Sequence, residues 1–232
     1  MNKLDWINLK AIILDVDGTL YHQSKLRKKM LFQLLKYYLF QPLQIKDLFI
    51  LYHFRKEREQ MAGHQYEHLE EVQYQMCADK LNLPVKRIKS VISKWILEAP
   101  NKYLADYIYP GLVQFLQLMR KEGIKIAVYS DYPASKKLAA MQLQVDLVVA
   151  STDPWVNTLK PKPKGLFYIL NTLEYSASQC VFIGDREELD GRCAIQAGMP
   201  FLLISRKRNE ADQFYNQLIE SYTTYKTRNN AG

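Results

Sequence analysis

The sequence predicts an α/β fold, in which a Rossmann-like parallel sheet core carries an inserted α-helical cap. Short apolar segments alternate with helical patterns over the second half of the 232-residue chain, and this alternation is typical of a parallel sheet covered by helices on both faces. One more apolar segment lies near the N-terminus, before about ninety residues with helical periodicity alone. Such a stretch is too long for a simple crossover connection, so it predicts a second domain inserted into the first.

The N-terminal segment, Ala11 to Val16, is predicted to be the first strand, and it runs into the turn Asp17-Gly18-Thr19-Leu20. Residues i and i+2 of a strand share a face, so Asp15 and Asp17 should project together from its carboxyl end. Ligands bind at that end in open α/β sheets. Two like charges so close are unfavourable unless a cation or a proton intervenes. Taken alone, the segment could also be an acidic surface turn, since Asp-Gly is a common turn dipeptide.

The inserted stretch shows apolar residues at spacings of three and four, which predicts about four amphipathic helices. Pro42, Gly63, Pro84 and Pro100 interrupt the pattern. We therefore predict a core made of residues 1–20 and 107–232 and a helical cap made of residues 21–106.

The remaining chain supplies four more strands and five helices. The predicted strands are Lys125 to Tyr129, Asp146 to Ala150, Cys180 to Ile183, and Phe201 to Ile204. The predicted helices are Leu112 to Glu122, Pro133 to Met141, Lys164 to Leu173, Glu187 to Ala197, and Asn209 to Tyr222.

Polar side chains follow the ends of several of these strands. Ser130 follows the second strand, Lys160 follows the loop after the third, and Asp185 and Asp190 follow the fourth. Each one has an ordinary explanation as a helix cap, a turn residue or a solvated lysine. In a parallel sheet, however, all of them lie at one edge beside Asp15 and Asp17.

This set of groups suits phosphoryl transfer. The carboxylates of Asp15, Asp17 and Asp185 are hard oxygen ligands of the kind that Mg²⁺ prefers. The Ser130 hydroxyl and the Lys160 ammonium are suitable donors to a phosphoryl group. One carboxylate can attack phosphorus to form an aspartyl-phosphate, and a second can move the protons of the leaving group and of water.

The four segments resemble the motifs of the haloacid dehalogenase-like superfamily of phosphohydrolases. The first motif, Asp-x-Asp-Gly-Thr-Leu, stands at Asp15 to Leu20, and the second is Ser130 at a strand end. The third is the lysine of Lys160-Pro161-Lys162-Pro163, and the fourth is Gly184-Asp185 with Asp190. An insert between the first two motifs is similar to that of the helical-capped phosphatase subclass.

The resemblance implies a role for each residue. Asp15 would be the nucleophile and a metal ligand, and Asp17 the general acid and base, with its main-chain carbonyl on the metal. Asp185 would be a further metal ligand. Ser130 and Lys160 would bind phosphate, while Thr19 and Asp190 would support these groups from behind, Asp190 also being an alternative acid. Lys162 could share or contest the role of Lys160.

The sequence departs from the family pattern at Asp131, where Asn is frequent, and at Arg186, where a small residue is common. Neither change removes a required group.

Charge and composition limit the classes of substrate and partner that we expect for this protein. The net charge is +8, and residues 24–106 hold 15 Lys/Arg against 9 Asp/Glu, so +6 of it lies in the predicted cap. A basic cap favours an anionic substrate, although a solvated helical surface explains the same count. The three cysteines show no paired spacing and fit a reducing compartment. We expect a cytoplasmic protein that acts on a small phosphorylated molecule, without a membrane or nucleic acid as partner, and its oligomeric state stays open.

The expected function is thus a Mg²⁺-dependent phosphatase acting on a small phosphorylated metabolite through an aspartyl-phosphate. The alternatives are a phosphomutase acting on a sugar phosphate, and a protein of the same fold that binds phosphate, a partner or nucleic acid without turnover. A dehalogenase would have no use for an acid at Asp17 or for bound Mg²⁺. The substrate itself depends on cap side chains whose orientation the sequence does not reveal.

Overall fold

The computed structural model describes residues 4–205 and 207–230. A five-stranded sheet forms its centre, with the strands in the order β3-β2-β1-β4-β5, and every neighbouring pair is parallel. The strands are β1 (Ala11–Leu14), β2 (Lys125–Ser130), β3 (Leu147–Ala150), β4 (Cys180–Gly184) and β5 (Phe201–Leu203). The predicted α/β class and all five predicted strands are confirmed, and each boundary agrees within two residues.

Nine α-helices surround or extend this sheet in the described residues. Those between β1 and β2 are α1 (Gln23–Phe40), α2 (Asp47–Gln60), α3 (Leu69–Leu81), α4 (Val85–Ile92) and α5 (Leu112–Lys121). Those that follow β2 are α6 (Ser135–Ala140), α7 (Lys164–Leu173), α8 (Arg192–Gln196) and α9 (Arg208–Asn230). A π-helix, Ser93–Glu98, and a 3₁₀ segment, Ala99–Tyr107, continue α4. No helix within 4–205 or 207–230 is both long and apolar enough to cross a membrane.

Side chains alternate between the two faces of the sheet, as the period of two along a strand requires. Ile13, Tyr129 and Phe182 pack on one face against the apolar sides of α7 and α8. Ile12 and Leu14 pack on the other face, in a cluster that continues without a break into the helices between β1 and β2. The proposed division at residues 20/21 and 106/107 stays a prediction.

The chain leaves and re-enters the core through two paired segments. Tyr21 and Ile108 form an antiparallel bridge. The His22 amide donates to the Tyr107 carbonyl at 2.9 Å, and the Tyr109 amide donates to the Leu20 carbonyl at 3.1 Å. The start and the end of the helical insert are therefore held side by side.

The register of the sheet aligns the strand ends. Leu14 of β1 lies opposite Val128 of β2 and Ile183 of β4. Strand order reverses at β1, because β2 and β3 lie on one side of it and β4 and β5 on the other. Ligands bind at such a reversal in open α/β sheets, and the segment that begins at Asp15 leaves the sheet there.

The C-terminal helix supports this segment from behind. The fully buried Tyr215 of α9 donates its hydroxyl hydrogen bond to the Thr19 carbonyl at 2.8 Å. The Thr19 side chain is itself buried, so that carbonyl has little access to water.

We predict that Tyr215→Phe lowers the free energy of unfolding by about 1–3 kcal/mol, the usual penalty for leaving a buried acceptor unpaired. Urea denaturation measures the loss. Tyr168→Phe is the control, since its hydroxyl forms no hydrogen bond within the described chain and its ring stacks on Trp155 in both forms. Equal stability of the two variants would contradict the supporting role of Tyr215.

Candidate active site

Six of the seven predicted site residues line one cavity of about 950 Å³. It opens between the carboxyl edge of the sheet and the inserted helices, and these six residues are Asp15, Asp17, Ser130, Lys160, Asp185 and Asp190. The seventh, Thr19, lies behind them and donates a hydrogen bond from Oγ1 to Asp15 Oδ2 at 3.2 Å.

Lys160 connects two of the carboxylates. Its Nζ lies 2.6 Å from Asp15 Oδ1 and 2.6 Å from Asp190 Oδ1, and all three side chains are buried. Burial alone would lower the pKa of Lys160, but the two carboxylates raise it above its ordinary value, so the ammonium stays charged. Lys162 is exposed, and the structure places Lys160 rather than Lys162 in the cavity.

Asp15, Asp185 and Asp190 form a cluster in which carboxylate oxygens from all three lie within 4.8 Å of one another. Burial raises the pKa of Asp15, and the nearby carboxylates of Asp190 and Asp185 add to the rise while Lys160 opposes it. A cation bound at this cluster would offset the mutual repulsion of the carboxylates. Asp190, which the sequence places behind the metal ligands, has its carboxylate inside the cluster.

The carboxylate of Asp17 is directed elsewhere. Lys137 Nζ lies 2.5 Å from its Oδ1 and 2.7 Å from its Oδ2, and the Tyr21 hydroxyl donates a hydrogen bond to it. Burial alone would raise the pKa of Asp17, but Lys137 and the hydrogen bond from Tyr21 hold it below its ordinary value.

Both aspartates line the cavity at the carboxyl end of β1. β1 ends at Leu14, so Asp15 and Asp17 lie in the loop beyond it. Their side chains have different partners, Lys160 for Asp15 and Lys137 for Asp17.

Asp131 fixes the position of the Lys160 loop. Its Oδ1 accepts hydrogen bonds from the Ser151 hydroxyl at 2.7 Å and from the Lys160 amide at 3.3 Å. Ser130, the last residue of β2, is buried and accepts the Tyr132 amide on its hydroxyl at 3.3 Å. The departure from Asn at position 131 thus retains a side chain that braces the neighbouring loop.

The inserted helices add a buried arginine to the site. Arg58 of α2 donates hydrogen bonds to the Asp131 carbonyl and to Gln73 Oε1, and its guanidinium lies 4.1 Å from the centre of the Tyr132 ring. The sequence does not identify Arg58 and Lys137 as site residues, because charged residues in amphipathic helices are usually solvated. Their partners lie 73 and 120 positions away in the chain.

Comparison with known proteins agrees with this architecture. A family model described as haloacid dehalogenase-like hydrolase matches residues 9–198. Phosphoglycolate phosphatase of Pseudomonas fluorescens is 26% identical over 135 residues, which cover 53% of this chain and 48% of that protein. The match thus spans about half the length of the curated relative.

Two solved structures show the same fold. A 2-haloacid dehalogenase from Pseudomonas syringae has a TM-score of 0.62 at 15% identity, with 94% of this chain and 99% of that chain covered. A phosphatase of the same superfamily from Thermococcus onnurineus has a TM-score of 0.60 at 24% identity, with 86% and 88% covered. The family match covers most of the chain and contains every predicted site residue, and we conclude that this protein belongs to the haloacid dehalogenase-like hydrolases.

Proposed function

We propose that this protein is a Mg²⁺-dependent phosphatase that hydrolyses a small phosphate monoester through an aspartyl-phosphate on Asp15. The observation that carries the proposal is the placement of the Asp15 carboxylate. It lies at the strand reversal, in one cavity with the Lys160 ammonium, the Ser130 hydroxyl and two further carboxylates. The curated relative is a phosphatase, which supports the same reaction class.

The donor set fits a hard divalent cation. Three carboxylates within 4.8 Å supply oxygen ligands only, and Mg²⁺ is bound by one or two carboxylates together with water and substrate phosphate. Asp15 and Asp185, with the Asp17 carbonyl, would hold the ion. When bound, it would supply positive charge that lowers the repulsion between an anionic nucleophile and an anionic phosphate.

In the first step, an oxygen of Asp15 attacks phosphorus and the bond to the substrate oxygen breaks. The leaving oxygen takes a proton from the acid form of Asp17, while Lys160 and the Ser130 hydroxyl hold the phosphoryl oxygens. In the second step, water attacks the aspartyl-phosphate, Asp17 accepts its proton, and Asp15 is released with inorganic phosphate. Lys137 and Tyr21 favour the ionised form of Asp17, which suits the second step, whereas the first step needs the protonated form.

Gly18 allows the close approach that this arrangement needs. Its φ is +99°, and a methyl group at this position would overlap the carboxylate of Asp185. A side chain at residue 18 would therefore push Asp185 out of the cluster.

We predict that Gly18→Ala weakens Mg²⁺ or Mn²⁺ binding by at least about tenfold, or ~1.4 kcal/mol, as measured by titration calorimetry. Gly123→Ala is a matched control, since Gly123 also has a positive φ of +75° but has no atom within 4 Å of the added methyl group. Similar metal affinity in both variants would refute the role given to residue 18.

We predict that the purified protein hydrolyses p-nitrophenyl phosphate in the presence of Mg²⁺ and that EDTA abolishes the reaction, with recovery when Mg²⁺ is restored. Release of p-nitrophenolate and of inorganic phosphate measures both effects. Full activity in EDTA would show that the reaction does not depend on a metal ion. The absence of turnover on any phosphate monoester would favour a function in binding rather than catalysis.

We predict that Asp15→Asn abolishes turnover, with a loss of about 10³-fold or more, because the amide is a poor nucleophile for phosphorus. Circular dichroism should show an unchanged fold. Asp106→Asn, at an exposed position outside the cavity, should keep full activity. An active Asp15→Asn protein would exclude the aspartyl-phosphate.

A further inference from the structure

The cavity has two chemically different ends. At the core end lie the carboxylates, Lys160 and Ser130. The inserted helices contribute a set of apolar side chains, which includes Met30, Leu34, Leu48, Leu51, Trp95 and Ile96. A volume of about 950 Å³ is at the upper end of the range for sites that enclose drug-sized molecules. A phosphoryl group with one or two carbons would leave most of it unfilled.

Helix α1 carries the apolar wall away from the catalytic end. It begins at Gln23, two residues after Tyr21, whose hydroxyl binds Asp17. Its lining residues Gln23, Met30 and Leu34 lie at helical spacing on one face. With a rise of 1.5 Å per residue, Leu34 lies about 16 Å along the helix axis from Gln23. The apolar side chains of α1 therefore line the cavity along its depth, away from the catalytic residues.

Helix α2 runs in the opposite chain direction and shows the same change from charged lining residues near the core to apolar ones farther away. Its C-terminal part is at the core end, since Arg58 binds the Asp131 carbonyl. Its lining residues nearer the N-terminus, Leu48 and Leu51, are apolar, whereas Arg55 and Arg58 are charged. Leu48 lies about 15 Å along the axis from Arg58. Both helices thus place charge near the core and apolar surface far from it.

The cavity arginines lie beside the catalytic groups. Arg58 stacks on Tyr132, and Arg55 is close enough to the same tyrosine to interact with it electrostatically. Arg27 interacts with Tyr21 in the same way. Cations at this end attract an anionic head group, whereas most of the side chains that line the far end are apolar.

Building on the proposed phosphatase function, we propose that the cap end of the cavity binds the aliphatic chain of an amphiphilic phosphate monoester. The phosphate occupies the core end beside Lys160, and the chain lies between α1 and α2 against Leu34, Leu48 and Trp95. A compact polar substrate gains nothing from this wall, whereas each methylene buried there is worth up to about a fourfold gain in affinity.

A series of n-alkyl phosphates from two to about ten carbons tests the proposal, at concentrations below those at which they form micelles. We expect kcat/KM to rise with each added methylene, by up to about fourfold, until the cavity is full. A flat or falling series would overturn the proposal. So would a preference for a nucleoside monophosphate over the longest alkyl phosphate.

Two substitutions in the cavity test whether the dependence of kcat/KM on chain length arises at the proposed apolar wall. Leu34→Gln and Leu48→Gln should each reduce the ratio of kcat/KM between the longest and the shortest alkyl phosphate by about tenfold. Leu31→Gln is the matched control, because Leu31 is on the same helix as Leu34 but is 57% exposed and lies outside the cavity lining. Its ratio should be unchanged. An unchanged ratio in both cavity variants would place the chain elsewhere and overturn the assignment.

Binding without turnover separates this proposal from the phosphatase function. The n-alkyl phosphonates cannot be hydrolysed at the carbon–phosphorus bond, and calorimetry in the presence of Mg²⁺ should show affinity that rises with chain length. Chain-dependent binding without hydrolysis of any phosphate ester would support the apolar site and refute the phosphatase. Hydrolysis of short phosphates without chain-dependent binding would do the reverse.

Discussion

The ion pairs of Lys160 with Asp15 and Asp190 hold the site together. They join the loop after β1, the loop after β3 and the segment after β4, which are separated by 145 and 30 positions in the chain. The buried carboxylates of Asp15 and Asp190 each lie 2.6 Å from the Lys160 ammonium, and without it they would repel each other strongly. Two hydrogen bonds hold these groups in place. Asp131 accepts one from the Lys160 amide, and Thr19 donates one to the second oxygen of Asp15.

The second constraint concerns Asp17, which belongs to a separate ion pair. Lys137 of α6 and Tyr21 at the start of the insert both contact its carboxylate. The main counter-charge of Asp17 is therefore Lys137, whereas that of Asp15 is Lys160, although the two aspartates are only two positions apart. Such separation lets neighbouring carboxylates differ in proton affinity: the pKa of Asp15 lies above its ordinary value, mainly through burial, and that of Asp17 lies below it despite burial, through Lys137 and Tyr21.

Much of this architecture could be predicted from local sequence. Apolar runs such as Val181-Phe182-Ile183 define the strands, and polar residues that follow them meet at one edge because the strands are parallel. Sequence patterns did not predict the partner of Asp17, because Lys137 resembles any solvated helical lysine until tertiary packing buries it. They also extended the first strand two residues too far.

The paired segments at Tyr21 and Ile108 have a consequence for how the molecule can diversify. Paired antiparallel residues lie about 4.5–5.5 Å apart, so the two ends of the insert leave and re-enter the core at a short, fixed spacing. Closing a longer or shorter excursion between fixed ends changes the chain entropy only slowly with length. Chain entropy therefore tolerates changes in the length of the stretch between Tyr21 and Ile108, whereas the contacts that this stretch makes with the core, such as that of Arg58 with the Asp131 carbonyl, would have to be kept or replaced.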